Sequence, residues 1–346
     1  MANLKSFTGR VFIVMLMISA FYLFGIQFSF VLLIFASILF AVLISYGANG
    51  LNSKLKVPYG LSVALVLLLI CGIIFLIIWF IGPSLSAQIN EMQEALPKSL
   101  ESLKSRLSNT SWGKELMDEI PSQPGKLLGS TGEKITKITG IFSATIGVLA
   151  NVLIVLIAGI FLAAAPETYR HGLVRLFPLT YRKRVDEVLI QCYKTLSTWL
   201  MAKFISMSAV GIATAVGLLL LGVPMPFALA LIAFFFAFIP NIGPYIALVP
   251  AVLIGLMQGN NMALYIVILY FSIQIVESYL LTPLVEKKMV SIPPALMILW
   301  QVLMGIFAGI MGLFLATPIL AAIIVLVKEF YVKDKLEKTT MLLNDE

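Results

Sequence analysis

Charged residues are scarce in this sequence. They make up 12% of the chain, whereas hydrophobic residues make up 60%, and an ordinary soluble domain has about a quarter of its residues charged. A soluble fold cannot bury so much apolar surface. The apolar residues also form long runs with almost no charge, such as 61–82, 141–165 and 264–283, and a helix needs about 20 apolar residues to cross a bilayer. The sequence therefore predicts an all-α integral membrane protein.

The residues that usually carry catalysis or bind metals are also few. The two cysteines, Cys71 and Cys192, lie in an apolar run and in a basic segment, and the only histidine, His171, has no evident partner. This pattern argues against a disulfide or a metal site. The sequence has no Walker A motif, no His-Glu-x-x-His motif and no pair of intramembrane aspartates, so ATP-driven pumping within this chain and intramembrane proteolysis lack their chemistry. We expect no enzyme activity and no cofactor.

The placement of the positive charge predicts the topology. Residues 83–140 contain seven basic and seven acidic residues, so the net charge of +7 lies elsewhere. The positive-inside rule places such basic segments, and with them both chain termini, in the cytoplasm. The densest basic cluster, Arg182-Lys183-Arg184, could alternatively bind nucleic acid or lipid. The charge bias between the two sides of the membrane is sufficient to explain this cluster, so no nucleic-acid partner is expected. The surplus basic residues include Lys5, Arg10, Lys54, Lys56, Arg170, Arg175, Arg182, Lys183, Arg184, Lys287, Lys288, Lys328, Lys333, Lys335 and Lys338.

The charge rule also divides the chain into segments. Residues 1–82 are predicted to form three spans, at 11–27, 28–46 and 61–82. Residues 83–140 are then outside, where an apolar stripe at helical spacing predicts a small amphipathic helical segment that Pro97 breaks. Residues 141–203 form a fourth span followed by a basic interfacial helix at 182–196. A fifth span covers 204–222, and residues 328–346 form a cytoplasmic tail.

Two broken apolar segments of equal length, 225–257 and 295–327, lie within the predicted transport core, 204–327. Each has 33 residues, which is longer than one crossing and too short for two crossings with a turn. Broken helices in related positions indicate re-entrant hairpins beside a transporter's solute site. With a spanning helix at 262–283 between them, the chain has about six spans and two hairpins. Two tilted single spans, eight spans in all, are the alternative.

The residues that interrupt these segments are predicted hinges. In the first segment, two prolines flank Asn241 and Gly243, and the glycine is expected to free the backbone for a turn. In the second, a glycine series replaces the prolines, and the same glycines also suit close helix packing. The predicted hinge residues are Pro240, Pro250, Pro283, Gly305, Gly309, Gly312 and Pro318.

Glu277 is the single acid between residues 262 and 285. A carboxylate inside a membrane is costly, so it is by default a candidate functional group; the alternative is an acid that forms an ion pair with another helix. Gln274 precedes it by one helical turn, and Asn241 and Gln301 lie in the broken segments, where each could bind solute or join helices. The predicted transport residues are Asn241, Gly243, Pro244, Gln274, Glu277 and Gln301, with Glu277 also a candidate cation ligand.

The C-terminal motifs resemble those of the autoinducer-2 exporter family of bacterial and archaeal membrane proteins. They are Pro240-Asn241-Ile242-Gly243-Pro244, Leu248-Val249-Pro250-Ala251, Glu277-Ser278-Tyr279-Leu280-Leu281-Thr282-Pro283 and the run from Gly309 to Pro318. This chain has Ser278 where the family commonly has asparagine. The resemblance implies export of a furanone-type quorum signal for some members and sodium or lithium exchange for protons in others. It also implies a homo-oligomer, a pentamer, that moves solute by an elevator-like motion of its hairpins.

Three functions remain open from the sequence. The leading hypothesis is a secondary carrier in the cytoplasmic membrane that exports a small polar solute, with autoinducer-2 as one candidate. The second is a sodium(lithium)/proton antiporter in which Glu277 binds the monovalent cation. The third is a channel or a structural membrane protein.

Overall fold

The computed structural model describes residues 28–108, 134–281 and 292–337. The first predicted span, the C-terminal tail from residue 338, and Pro283, Lys287 and Lys288 lie outside these ranges. All the elements in the described ranges are helices, which confirms the all-α prediction. They are α1 (Phe28–Leu55), α2 (Tyr59–Ser108), α3 (Lys134–Ala164), α4 (Pro166–Arg175), α5 (Leu179–Leu220), α6 (Pro226–Phe236), α7 (Gly243–Gln258), α8 (Asn260–Val276, continued by a π-helical turn, Glu277–Leu281) and α9 (Pro294–Val327, followed by a π-helical segment, Lys328–Glu337).

Five of the described helices are long and apolar enough to cross a membrane, or six if α3 and α4, which are bent by 86° at their junction, count as one broken span. The apolar half of α2 shows this character clearly, because only 17% of its most apolar window is buried within the chain. Leu68 is 70% exposed there and Trp79 is 68% exposed. Such a surface suits lipid and not water, so the polytopic membrane prediction is confirmed.

Helix α2 differs from the prediction, because it continues through the expected break at Pro97. One helix of 50 residues covers both the third predicted span and much of the segment predicted to be external. A proline inside a helix removes one backbone hydrogen bond, and packing can offset that loss. Here Ala95 is buried in an apolar core and Met92 packs against the same core, so the turn of helix that precedes the proline is anchored by packing.

Helix α5 also joins two predicted elements. The interfacial helix at 182–196 and the fifth span form one continuous helix of 42 residues. Residues 182–203 contain neither glycine nor proline, so nothing in the sequence interrupts the helix. Val185 and Val188, three residues apart on one face of this helix, are buried, at 4% and 1% exposure.

The chain forms two compact units, which are described separately. Within the described residues, the first unit contains parts of Met1–Ser45, Asn151–Leu196 and Ser291–Glu346, and the second contains parts of Tyr46–Ala150 and Ser197–Val290. In the second unit, α2 packs on α6 and α7, and α8 packs on α7. The core of this unit is apolar and includes Met207, Val210 and Leu218 from α5.

Candidate functional site

The first broken segment folds back on itself as a helical hairpin in the second unit. Its arms, α6 and α7, pack against each other. Gln258 at the end of α7 donates a hydrogen bond from Nε2 to the carbonyl oxygen of Gly222, just before α6, at 3.2 Å. The segment therefore ends beside the point where it began, which is the geometry that the sequence predicts.

The tip of this hairpin uses Asn241 and Gly243 differently from the prediction. Asn241 has φ of 65° and occupies the left-handed region, which asparagine tolerates better than most residues, and its side chain is exposed. Gly243 begins α7 without a positive φ. A Cβ atom there would collide with the carbonyl oxygen of Phe236, so glycine is required at this position for the close approach of the arms. The turn itself depends on the residue two positions earlier.

Gln88 of α2 caps the first arm of the hairpin. Its Oε1 accepts hydrogen bonds from the backbone N–H groups of Phe227 at 3.1 Å and Ala228 at 3.2 Å. These are the second and third residues of α6, whose N–H groups have no partner inside the helix, and Pro226 in the first position has no N–H. The extension of α2 therefore holds one end of the hairpin.

The second broken segment folds back within α9, in the first unit. Gly309 has φ of 58° and ψ of −140°, a conformation that is essentially restricted to glycine. Across this break, Trp300 donates a hydrogen bond from Nε1 to the carbonyl oxygen of Ala316 at 2.9 Å. A Cβ atom on Gly312 would collide with the carbonyl oxygen of Met304. The two arms of α9 therefore run side by side, as predicted.

Gln301 lies at the same level as Thr317 in this second hairpin. The contact between Trp300 and Ala316 fixes the register of the two arms. Gln301 lies one residue nearer the tip than Trp300, and Thr317 lies one residue further from the tip than Ala316. The two residues therefore differ by only about 3 Å along the axis of the hairpin. Gln301 is 0% exposed and Thr317 is 2% exposed. Each arm of the second hairpin thus carries one buried, neutral polar side chain, and Gln301 is one of the residues predicted from the sequence.

Glu277 meets two polar side chains from α5 in the second unit. The hydroxyl group of Ser206 donates a hydrogen bond to Glu277 Oε1, and Lys203 Nζ lies 3.8 Å from the same oxygen. The side chains of Glu277 and Lys203 are 8% and 11% exposed. The acid is therefore a buried, ion-paired group at the start of a π-helical turn, and such turns are frequent at functional sites.

Sequence reasoning missed Lys203 and Ser206. The predicted fifth span begins at residue 204, which puts Lys203 at the border of the span and not inside it. A usable signal was present, since Lys203 and Ser206 are three residues apart and share a helical face. What the sequence lacked was any indication that this face of α5 lies against α8.

The other predicted transport residues are distributed over both units. Gln274 donates a hydrogen bond from Nε2 to the hydroxyl group of Ser278 at 3.1 Å, within its own stretch of helix. Pro244 lies in the first turn of α7, and Pro250 lies inside that helix. Gln301, Gly305, Gly309, Gly312 and Pro318 belong to the first unit, whereas Asn241, Gly243, Pro244, Gln274 and Glu277 belong to the second.

A charge network lies in the first unit, beyond the apolar part of α9. Arg184 donates hydrogen bonds to the carboxylates of Glu329 and Asp334, both at 2.9 Å, and Lys333 Nζ lies 2.6 Å from Glu329 Oε1. The hydrogen bond from Lys333, with that from Arg184, holds the pKa of the Glu329 carboxyl below its ordinary value although burial acts in the opposite direction. Part of the basic cluster therefore joins α5 to the segment that follows α9.

No group of three or more histidine, cysteine or acidic side chains that could hold a metal ion occurs within residues 28–108, 134–281 and 292–337. The polar features of the described residues include the ion-paired acid Glu277, the charge network of Arg184, and two hairpins with close glycine contacts.

Comparison with known proteins identifies the family of this chain. The chain is 28% identical to "Putative transport protein YueF" of Bacillus subtilis over 279 residues, which cover 78% of this chain and 76% of the relative. It is 27% identical to "Putative transport protein MT0215" of Mycobacterium tuberculosis, with 76% and 73% covered, and 24% identical to "Putative transport protein YrrI" of Bacillus subtilis, with 86% of each covered. Residues 11–332 match the family described as AI-2E family transporter. The chain therefore belongs to the AI-2E family of membrane transporters.

Proposed function

We propose that this protein is a secondary carrier that exports a small polar solute across the cytoplasmic membrane, with its two helical hairpins as moving or gating elements. Autoinducer-2 is the first solute to test, because the family description names it. The observation that carries the proposal is the buried Glu277, held by Lys203 and Ser206 between two helices of a membrane protein. A buried charge of this kind marks a solute or ion pathway more often than a packing contact.

The hairpins support a carrier over a static membrane protein. Each reverses the chain between apolar arms, and irregular backbone at membrane depth is tolerated only where protein or an aqueous cavity surrounds it. Transporters place such interrupted helices beside the solute site. A structural protein with the same length of chain could use plain spans and avoid the cost of two interruptions.

The pairing of Glu277 gives no support to cation exchange. A carboxylate that binds sodium or a proton in turn must be free to exchange one cation for another. In this protein a lysine ammonium already lies 3.8 Å from the carboxylate oxygen, and a hydroxyl group donates to it. We therefore propose that Glu277 acts through the lysine and the serine to bind a polar solute.

The topology and assembly belong to the same proposal. Both chain termini are proposed to lie in the cytoplasm, because the surplus basic residues lie in the segments that the positive-inside rule places there. A homo-oligomer, with subunits in contact through exposed apolar helices, is the assembly that the family resemblance favours.

The proposal is tested with the full chain reconstituted into liposomes loaded with autoinducer-2 and a mixture of small polar metabolites. Release is measured by mass spectrometry of the outer medium for the parent, for Glu277→Gln and for Glu167→Gln, which alters an exposed acid in α4. We expect the parent and Glu167→Gln to release at least one compound faster than protein-free liposomes, and Glu277→Gln to lose most of that release.

Equal release from parent and protein-free liposomes for every compound would refute the carrier. Full release by a folded Glu277→Gln variant would remove Glu277 from the mechanism. The antiporter would be favoured instead if sodium or lithium collapsed an imposed pH gradient in liposomes that contain the parent protein but not in protein-free liposomes.

A further inference from the structure

Two buried hydroxyl groups lie in the second unit, away from Glu277. Thr214 on α5 is 1% exposed and Tyr270 on α8 is 7% exposed. Neither Thr214 Oγ1 nor Tyr270 Oη has a hydrogen-bond partner among the residues that the structure describes. Buried hydroxyl groups are normally satisfied, by protein or by a bound molecule, so these two point to a ligand.

The register of α5 and α8 places the two hydroxyl groups at one level. The helices meet at Ser206 with Glu277, and again where a Cβ on Gly217 would lie 2.5 Å from Leu269, so they run in opposite directions. Counting from the second contact at 1.5 Å per residue, Thr214 and Tyr270 differ by only about 3 Å along the helix axes.

Both residues also face the contact between the two helices. Ser206, Val210, Thr214 and Leu218 follow one another at steps of four along α5 and are all buried. On α8, Ile266, Tyr270 and Glu277 form a buried stripe at the equivalent spacing. Ser206 of the first stripe contacts Glu277 of the second. Gly217 and Leu269, each one residue away from a member of a stripe, contact each other further along. The two stripes that carry the hydroxyl groups therefore face the same seam.

The surroundings define the chemistry of the ligand. Tyr270, Val210 and Leu218 belong to one apolar core, together with Met207 and Ile266. The buried acid of this unit, Glu277, lies about two helical turns beyond Tyr270 along α8. A charged ligand would be costly there. A hydroxyl group is suitable, because threonine and tyrosine can each donate and accept one hydrogen bond.

We propose that Thr214 and Tyr270 together bind the hydroxyl group of a small neutral molecule in the seam between α5 and α8, about two helical turns from the ion pair of Glu277. The molecule is either water or a polyol-like solute. In the second case the site is a step on the solute's path, and this part rests on the carrier function proposed above.

The experiment is a double-mutant cycle on the purified full chain, with thermal unfolding as the readout. Thr214→Val and Tyr270→Phe each remove one hydroxyl group at almost constant shape, and Tyr265→Phe is the control, because Tyr265 is 51% exposed on the same helix. We expect each single variant to lower Tm by a few degrees and the double variant to lower it no further, since a shared ligand is lost only once.

A rise in Tm or no change in the single variants would overturn the proposal, because removal of an unsatisfied buried hydroxyl is neutral or stabilising. Additive losses would overturn the shared ligand. The Tyr265→Phe control should match the parent throughout.

The source of the hydroxyl group is resolved with erythritol, a four-carbon polyol. Polyols stabilise most proteins by exclusion from their surface, so the readout is the difference in Tm gain between parent and Tyr270→Phe at equal erythritol concentration. A larger gain in the parent assigns the site to a solute, since a ligand that binds the folded state stabilises it. Equal gains assign it to water. Neither result depends on transport, so a failure of the carrier proposal would be seen separately in the liposome assay.

Discussion

The indole nitrogen of Trp300 donates a hydrogen bond to the carbonyl oxygen of Ala316 at 2.9 Å, although the two residues are 16 positions apart. In a straight helix they would be separated by about 24 Å. Their contact shows that the apolar run is a hairpin. The two hairpins also share a close backbone contact near their tips. In each, a glycine of the second arm lies against a backbone carbonyl group of the first arm: Gly243 against Phe236, and Gly312 against Met304.

Alanine in place of Gly243 or Gly312 should destabilise the protein. The added methyl group meets a backbone carbonyl oxygen, and overpacking of this kind costs about 1–3 kcal/mol. We expect a lower Tm and reduced solute release for both variants. Gly72→Ala is the matched control, because nothing lies within 4 Å of a Cβ built there. A Gly243→Ala or Gly312→Ala protein as stable and active as the control would contradict the close approach of the arms.

The pair formed by Lys203 and Glu277 should show strong coupling in thermal unfolding. Removal of one member of a buried ion pair leaves the other without compensation, at a cost of about 3–5 kcal/mol. We expect Lys203→Met and Glu277→Gln each to lower Tm substantially, and the double variant to recover part of the loss. Glu167→Gln should leave Tm unchanged. Independent, additive effects of the two substitutions would show that the groups do not interact.

Gln88→Ala should weaken the attachment of the first hairpin. The variant removes the acceptor for two N–H groups at the start of α6, and the loss of a helix cap costs about 0.5–2 kcal/mol. We expect a lower Tm and faster hydrogen exchange at Phe227 and Ala228. Gln88→Glu retains an acceptor and places negative charge at a helix N-terminus, so it should behave like the parent. Normal exchange in Gln88→Ala would argue against the cap.

Stability should fall in acid because of Glu329. Its pKa is held below the ordinary value, chiefly by the hydrogen bond from Lys333 and then by that from Arg184. A carboxyl with a lowered pKa in the folded state stabilises the protein fully above its unfolded pKa, and this contribution is lost as the pH falls through the folded pKa. We expect Glu329→Gln to have a lower Tm than the parent at neutral pH. The two curves should converge in acid, and curves that stay parallel across this range would refute the assignment.

The topology is tested by single cysteines in a Cys71→Ala and Cys192→Ala background. Lys183 is exposed beside the network of Arg184, and Ser86 is exposed on the extension of α2. We expect Lys183→Cys to react only with reagents that reach the cytoplasm, and Ser86→Cys only with external reagents. Lys288→Cys should follow Lys183→Cys. External labelling at Lys288 would contradict the predicted re-entrant orientation of the first hairpin.

The sequence alone is sufficient to predict a structural feature when the residues that cause it all lie in one short stretch of the chain. A run of about 20 apolar residues is a membrane helix in almost any surroundings, and Pro240, Asn241 and the glycines around residue 309 interrupt their helices through local backbone constraints. For that reason the sequence alone predicts a helical protein with several membrane-crossing helices and the places where two apolar segments reverse direction. The prominence of Glu277 had the same local origin, since it is one acid in an apolar run.

Contacts between distant residues were beyond sequence reasoning. Ser206 and Glu277 are 71 residues apart, and only the packing of α5 on α8 brings them together. The requirement for glycine at position 243 likewise comes from the carbonyl group of Phe236 in the other arm. The periodicity of a sequence shows which face of a helix is apolar. Which other helix packs on that face depends on the packing of the whole unit, because local helix propensity does not determine it.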